Sequence, residues 1–153
     1  MKQYHTVVLM RGSSGSGKTT FVQKNLNDAL ICSADHFFIK EGKYNWYPSG
    51  LKAAHKTCQD KFKKALEADE HCIVVDNTNT RANEMEPYIK LAKEFNYDIR
   101  IIRMEVPLKC LLGRNVHGVK DSIVEQMVNR MENIPESWGL TEIVVEGYEK
   151  NEA

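Results

Sequence analysis

Neither sign of charge is in excess: 21 Lys and Arg stand against 21 Asp and Glu in 153 residues, so no global field draws the chain to a polyanion or a membrane surface. Any nucleic-acid contact must therefore be local. Cysteine is sparse and scattered, with Cys32, Cys58, Cys72 and Cys110 forming no C-x-x-C pair, which argues against a disulfide framework and fits free thiols in a reducing compartment. His71 with Cys72, and His55 with Cys58, lack the two close pairs at recognised spacings that zinc sites show. No apolar run approaches the roughly 20 residues that cross a bilayer, and the one in "MKQYHTVVLM" is too short for a signal peptide. The cytoplasm is the expected location. Repeats and low-complexity linkers are lacking too, and 153 residues suffice for one cored domain, taken as 1–153, but not for two.

What is present is an alternation of strand and helix signals. "HTVVLM" (5–10), "ALICS" (29–33), "CIVVD" (72–76), "YDIRIIRMEV" (97–106) and "EIVVE" (142–146) read as strands. Between them, Phe21, Val22, Asn25, Leu26 and Ala29 fall at helical spacing, as do Leu51, Ala54, Cys58, Phe62 and Ala65 after Ser49 as a possible N-cap. Met85, Tyr88, Ile89, Ala92 and Phe95 mark a third helix, in which Pro87 is tolerable only in or near the first turn. Pro107 can open a short helix, and Ser122 with Glu125 forms a possible capping box before Ile123, Val124, Met127 and Met131. Five β runs joined through helices predict an α/β fold with a parallel sheet covered on both faces.

Directly after the first strand stands "RGSSGSGKTT", in which Gly12, Gly17, Lys18 and Thr19 match the phosphate-binding pattern G-x-x-x-x-G-K-[ST]. Backbone N–H groups of a tight Gly-rich turn, at the start of a helix whose dipole also favours an anion, suit the triphosphate of ATP. Gly12, Ser13, Ser14, Gly15, Ser16, Gly17, Lys18, Thr19 and Thr20 are thus the expected nucleotide-binding residues. Lys18 reaches the β and γ phosphates, and Thr19 is suited to Mg²⁺. Asp76 ends a buried strand, where a carboxylate would be the second metal ligand. Its alternative is a turn or capping Asp. Asp35 follows the second strand, so it emerges at the same sheet edge and could accept the proton of an attacking hydroxyl; a turn carboxylate is again the alternative.

"RGSSGSGKTT", "SADHFF", "VVDNTNTRANEMEPY" and "GRNVHGV" together resemble P-loop polynucleotide kinases, most closely the polynucleotide-kinase-like domain of a ubiquitin-ligase-binding protein family, over about residues 5–132. The resemblance implies a P-loop three-layer sandwich with a parallel sheet in the order 2-3-1-4-5. It also implies Asp35 as general base toward a 5′-hydroxyl and Arg114, in a mobile lid at about 113–121, as a γ-phosphate contact. Two positions depart from the family pattern. "DHFFIK" has no Arg after Asp35, only Lys40, and the lid pairs Arg114 with Lys120 where active relatives tend to carry two arginines.

The expected activity is transfer of the γ-phosphate of ATP, with Mg²⁺, to a hydroxyl, foremost the 5′-hydroxyl of a single-stranded nucleic acid or a nucleoside-type acceptor. A small-molecule kinase and a non-catalytic ATP-binding module are the alternatives. Phe37, Phe38, Tyr44, Trp46 and Tyr47 could stack a base or pack a long loop. Lys52, Lys56 and Lys63 share a helix face that is either a phosphate track or simply solvated. Arg81 could touch the acceptor or cap the sheet edge. The segment 147–153 reads as a polar tail.

Overall fold

The chain of a computed structural model is described at residues 5–112 and 119–146. Most of the expected lid (113–118) and the tail (147–153) lie outside these residues. The apolar runs become strands because β-branched residues buried on both faces suit a central parallel sheet. β1 (Thr6–Arg11), β2 (Leu30–Cys32), β5 (Cys72–Asp76), β6 (Asp98–Glu105) and β7 (Glu142–Glu146) form one five-stranded sheet, every pairing in it parallel, in the order β2-β5-β1-β6-β7. Counting only these five, that is 2-3-1-4-5. The remaining two strands, β3 (Ile39–Lys40) and β4 (Lys43–Tyr44), make a small antiparallel hairpin that was not expected. Its turn is Glu41-Gly42, both at positive φ (54° and 76°), the conformation that a two-residue hairpin requires.

Alternation along β1 fixes the layers. Val7 and Leu9 face α2 (Leu51–Glu67) and α3 (Ala82–Glu94), where Ala54, Cys58, Phe62, Met85, Tyr88 and Ile89 close the larger core. The Phe62 and Tyr88 rings meet edge to face at 5.0 Å across the two helices. Val8 and Met10 face the other way, toward Val22 and Phe21 of α1 (Lys18–Asn25) and Met104 of β6. A separate small cluster joins Val106, Leu111 of α4 (Leu108–Leu111) and Val124 of α5 (Asp121–Asn129). This is an α/β three-layer sandwich. No helix among the described residues is long and apolar enough to cross a membrane.

Three local expectations are corrected. α1 ends at Asn25, and Ala29 lies beyond a turn that its N–H closes onto the Leu26 carbonyl at 3.0 Å, although both residues still pack on the core. Ser49 does not cap α2: a 3₁₀ turn from Pro48 to Gly50 leads straight into the helix, and Leu51 is exposed. Gly50 is needed there, because a Cβ would come within 2.8 Å of the Phe38 and Tyr47 rings. Ser122 lies inside α5 after Asp121, with Lys120 as the N-cap residue, so the proposed capping box does not form. An Asp in the first turn favours the helix N-terminus electrostatically. Pro87 sits six residues into α3, just past the first turn.

Candidate active site

β1 delivers the chain to the phosphate loop, and the loop's shape depends on Gly12. Its φ is +149°, and a Cβ there would lie 2.5 Å from Ser16 Oγ and 3.0 Å from the Met104 carbonyl oxygen. Gly17, at φ +93°, then turns the backbone into α1. Ser16 N–H closes the loop onto the Ser13 carbonyl at 3.1 Å, whereas the buried Ser16 hydroxyl has no hydrogen-bond partner among the described residues. Lys18, half-buried, donates from Nζ to the carbonyls of Gly12 (2.8 Å) and Ser13 (3.1 Å). Burial pushes its pKa down, and the nearby carboxylates of Asp76 and Asp35 oppose that shift. A half-buried ammonium satisfied mainly by loop carbonyls, beside an unpartnered hydroxyl and a cradle that a Cβ would fill, fits a phosphate group.

Thr19 Oγ1 donates to Asp76 Oδ2 at 2.9 Å, joining the first turn of α1 to the end of β5. Asp76 is buried and Thr19 exposed. The donor set is oxygen only, which suits Mg²⁺. Asp35 lies in a 3₁₀ helix from Ala34 to Phe38 whose start is fixed twice: Ser33 Oγ accepts from Asp35 N–H at 3.2 Å, and Asn77 Oδ1 accepts from Ala34 N–H at 2.9 Å. Its side chain is exposed and receives the Tyr44 hydroxyl at 3.3 Å. Burial first, and Asp35 second, push the Tyr44 pKa up to about 12, so Tyr44 stays a donor to that carboxylate. His36 also borders the site. Its pKa is lowered, chiefly by burial and then by Lys61, against the pull of Asp76 and Asp35.

Lys18, Thr19, Asp76 and Asp35 are thus brought to one sheet edge, with Ser13, Ser14, Gly15 and Ser16 in the loop between them. Thr20 continues into α1 and is exposed. Arg114 falls outside the described residues. Phe38 is 2% exposed and makes ring contacts with Phe37, Tyr44, Trp46 and Tyr47. Packing is therefore one role of this cluster, although Trp46 remains 48% exposed. The lysine face of α2 is solvated, and its Lys56 pairs with Asp60 at 2.8 Å. Cys32, Cys58 and Cys72 are free thiols, and burial pushes the Cys32 pKa up to about 12.

Sequence reasoning missed the clamp behind the loop. The segment 77–80 bonds at every residue: Asn77 to Ala34; the Thr78 carbonyl to Gly12 N–H at 3.0 Å; Asn79 Nδ2 to the Met10 carbonyl at 2.8 Å; and the Thr80 carbonyl to Arg11. Arg11 is wholly buried. Its guanidinium donates to the carbonyls of Asn79 (2.8 Å), Thr80 (3.1 Å) and Glu132 (2.6 Å) and pairs with the Glu142 carboxylate. A charged side chain at the end of an apolar strand ordinarily reads as exposed, and nothing in the spacing pointed to a buried partner.

Arg11→Ala is expected to lower stability by about 3 kcal/mol, because it strands a largely buried carboxylate and three carbonyls. Arg103, 3.5 Å from Glu142, tempers the loss. Urea unfolding measures this, and a change below about 0.5 kcal/mol, the usual range for an unimportant surface site, would show that the clamp does not hold the loop.

A family profile described as an AAA domain matches residues 7–133. NEDD4-binding protein 2 of Homo sapiens is 33% identical over 130 residues, covering 80% of this chain but 7% of that protein. L-seryl-tRNA(Sec) kinase of Methanococcus maripaludis is 25% identical over 157 residues, covering 94% and 60%. This chain thus spans only part of either relative. A chain in the solved Pnkp1/Rnl/Hen1 RNA repair complex superposes with a TM-score of 0.68 at 17% identity, over 86% of this chain and 45% of that one, a likeness of fold.

Proposed function

The chain belongs to the AAA domain family in its P-loop kinase form, and from that premise we propose that it transfers the γ-phosphate of ATP to a hydroxyl, foremost the 5′-hydroxyl of a nucleic acid or nucleotide. The observation that carries this reading is that two carboxylates stand at the phosphate loop: Asp76, which accepts from Thr19 Oγ1 at 2.9 Å, and Asp35, in the 3₁₀ helix that follows β2. A binding module would need the first carboxylate but has no use for the second.

The roles follow from chemistry. The loop amides and Lys18 bind and orient the triphosphate, and Lys18 is placed where charge develops on the transferred group. Thr19 and Asp76 would hold Mg²⁺, which neutralises phosphate charge when bound. Asp35 takes the proton of the acceptor hydroxyl, and Tyr44 orients the carboxylate that does so. Arg114 is proposed as the lid contact to the γ-phosphate. The relative that is named a seryl-tRNA kinase supports a hydroxyl acceptor attached to nucleic acid.

The test is a single-turnover assay with γ-labelled ATP and Mg²⁺ against 5′-hydroxyl oligonucleotides of DNA and RNA, nucleosides and sugars. Label on the oligonucleotides is the expected result. Label on a sugar alone would make the chain a small-molecule kinase, and ATP binding without transfer to any acceptor would make it a nucleotide-binding module.

A further inference from the structure

Between the start of α3 and the end of α5, one residue beyond the clamp, an open hollow of about 310 Å³ is lined by Arg81, Gln126, Asn129 and Arg130. Its lining contains two guanidinium groups, two amides and no carboxylate. Neither arginine takes part in an ion pair among the described residues. The carboxylates nearest in sequence are engaged by backbone: Glu84 accepts from Thr80 N–H at 2.8 Å, and Glu132 accepts from Ala82 N–H at 2.8 Å. All four lining residues are exposed, so both guanidinium groups are solvated and open to an incoming anion.

The walls are also fixed. Glu132 N–H donates to the Thr80 carbonyl at 2.7 Å, so the ends of the 77–80 segment and of α5 are stitched together immediately beside Arg81 and Arg130. Arg11 bonds both sides of that stitch, the Thr80 and Glu132 carbonyls, and is followed in sequence by Gly12 of the phosphate loop. The hollow is therefore rigidly indexed to the place where the triphosphate would sit. Guanidinium forks suit phosphodiester oxygens, and side-chain amides can bond sugar hydroxyls or base edges.

We propose that Arg81 and Arg130 bind a backbone phosphate of the single-stranded acceptor, giving the neutral chain a local polyanion contact. The choice of nucleic acid as ligand rests on the function proposed above; the anion site itself rests on the hollow. The site is independent of sequence, because phosphate contacts position a strand and do not read it.

The experiment measures anisotropy of a 3′-labelled, 5′-hydroxyl single-stranded oligonucleotide over a salt series, without ATP, for the unaltered protein, Arg81→Gln/Arg130→Gln and Arg81→Lys/Arg130→Lys. The glutamine pair is expected to bind on the order of tenfold weaker for each arginine lost. Its plot of log affinity against log salt should flatten by about 0.7 for each phosphate contact removed. The lysine pair should keep most of that slope, since it keeps the charge, and both pairs should keep the parental affinity for ATP and the parental thermal midpoint. Equal affinity and slope in the glutamine pair, or no oligonucleotide binding by the unaltered protein, would overturn the proposal. Transfer to oligonucleotides that the glutamine pair still binds at parental strength would remove this site and leave the kinase reading. Salt-dependent binding lost in that pair, with no transfer to any acceptor, would do the reverse.

Discussion

Asp35→Asn is expected to lower phosphoryl transfer by about 100-fold to 10,000-fold while ATP binds with nearly parental affinity. The substitution keeps size and shape and leaves an oxygen for the Tyr44 hydroxyl, but an amide cannot take a proton. Asp35 is exposed at the start of a short 3₁₀ helix, and the two hydrogen bonds that fix that helix come from Ser33 and Asn77, so the variant should fold normally. Because phosphoryl transfer depends so heavily on positioning, part of the loss would come from a misaligned hydroxyl. Tyr44→Phe separates the two causes: it frees the carboxylate without removing its basicity, and should cost much less than Asp35→Asn. Rapid-quench measurement with a confirmed acceptor decides the matter. Parental transfer by Asp35→Asn would reduce Asp35 to a turn residue.

Lys18→Ala should be as damaging at a different step. Removing one preorganised charge from the place where transition-state charge develops costs about 100-fold to 1,000-fold, and here triphosphate binding should weaken as well. The fold should survive. Burial lowers the Lys18 pKa, so holding the ammonium in the loop opposes stability instead of supporting it. The sign follows: between the lowered folded value and the ordinary 10.5, the unfolded chain binds the extra proton, so this residue's contribution to stability rises with pH across that interval. The difference in unfolding free energy between the parental chain and Lys18→Ala should therefore shift in favour of the parental chain as pH climbs through that window. Parental ATP turnover in a folded Lys18→Ala protein would remove the phosphate loop from the mechanism.

The parts of this site that the sequence announced are those whose chemistry is local. Gly12 to Thr19 form a site within eight consecutive residues, so their spacing alone states their geometry. Asp76 and Asp35 each end an apolar run, and a parallel sheet brings all such ends to one edge. Arg11 was opaque for the opposite reason: its partners lie 68, 69, 121 and 131 residues away, and no periodicity connects them. The β3–β4 hairpin escaped because strands of two residues carry no alternation to read. The misplaced caps at Ser49 and Ser122 reflect how little an amphipathic pattern says about its own first turn, where Gly50 beneath two rings and Asp121 at the helix start decide the boundary.

The Arg11–Glu142 pair also sets how much chain the phosphate loop requires. The family profile stops at residue 133, which invites the view that β7 is an optional edge strand. Yet the carboxylate that answers the buried guanidinium stands at the first residue of β7, nine positions past that limit. A chain cut at 133 would keep every nucleotide-binding residue and leave an uncompensated charge directly beneath the first of them. The smallest autonomous form of this domain is thus defined by an unanswered charge at the root of the loop, and the profile limit alone places its boundary too early.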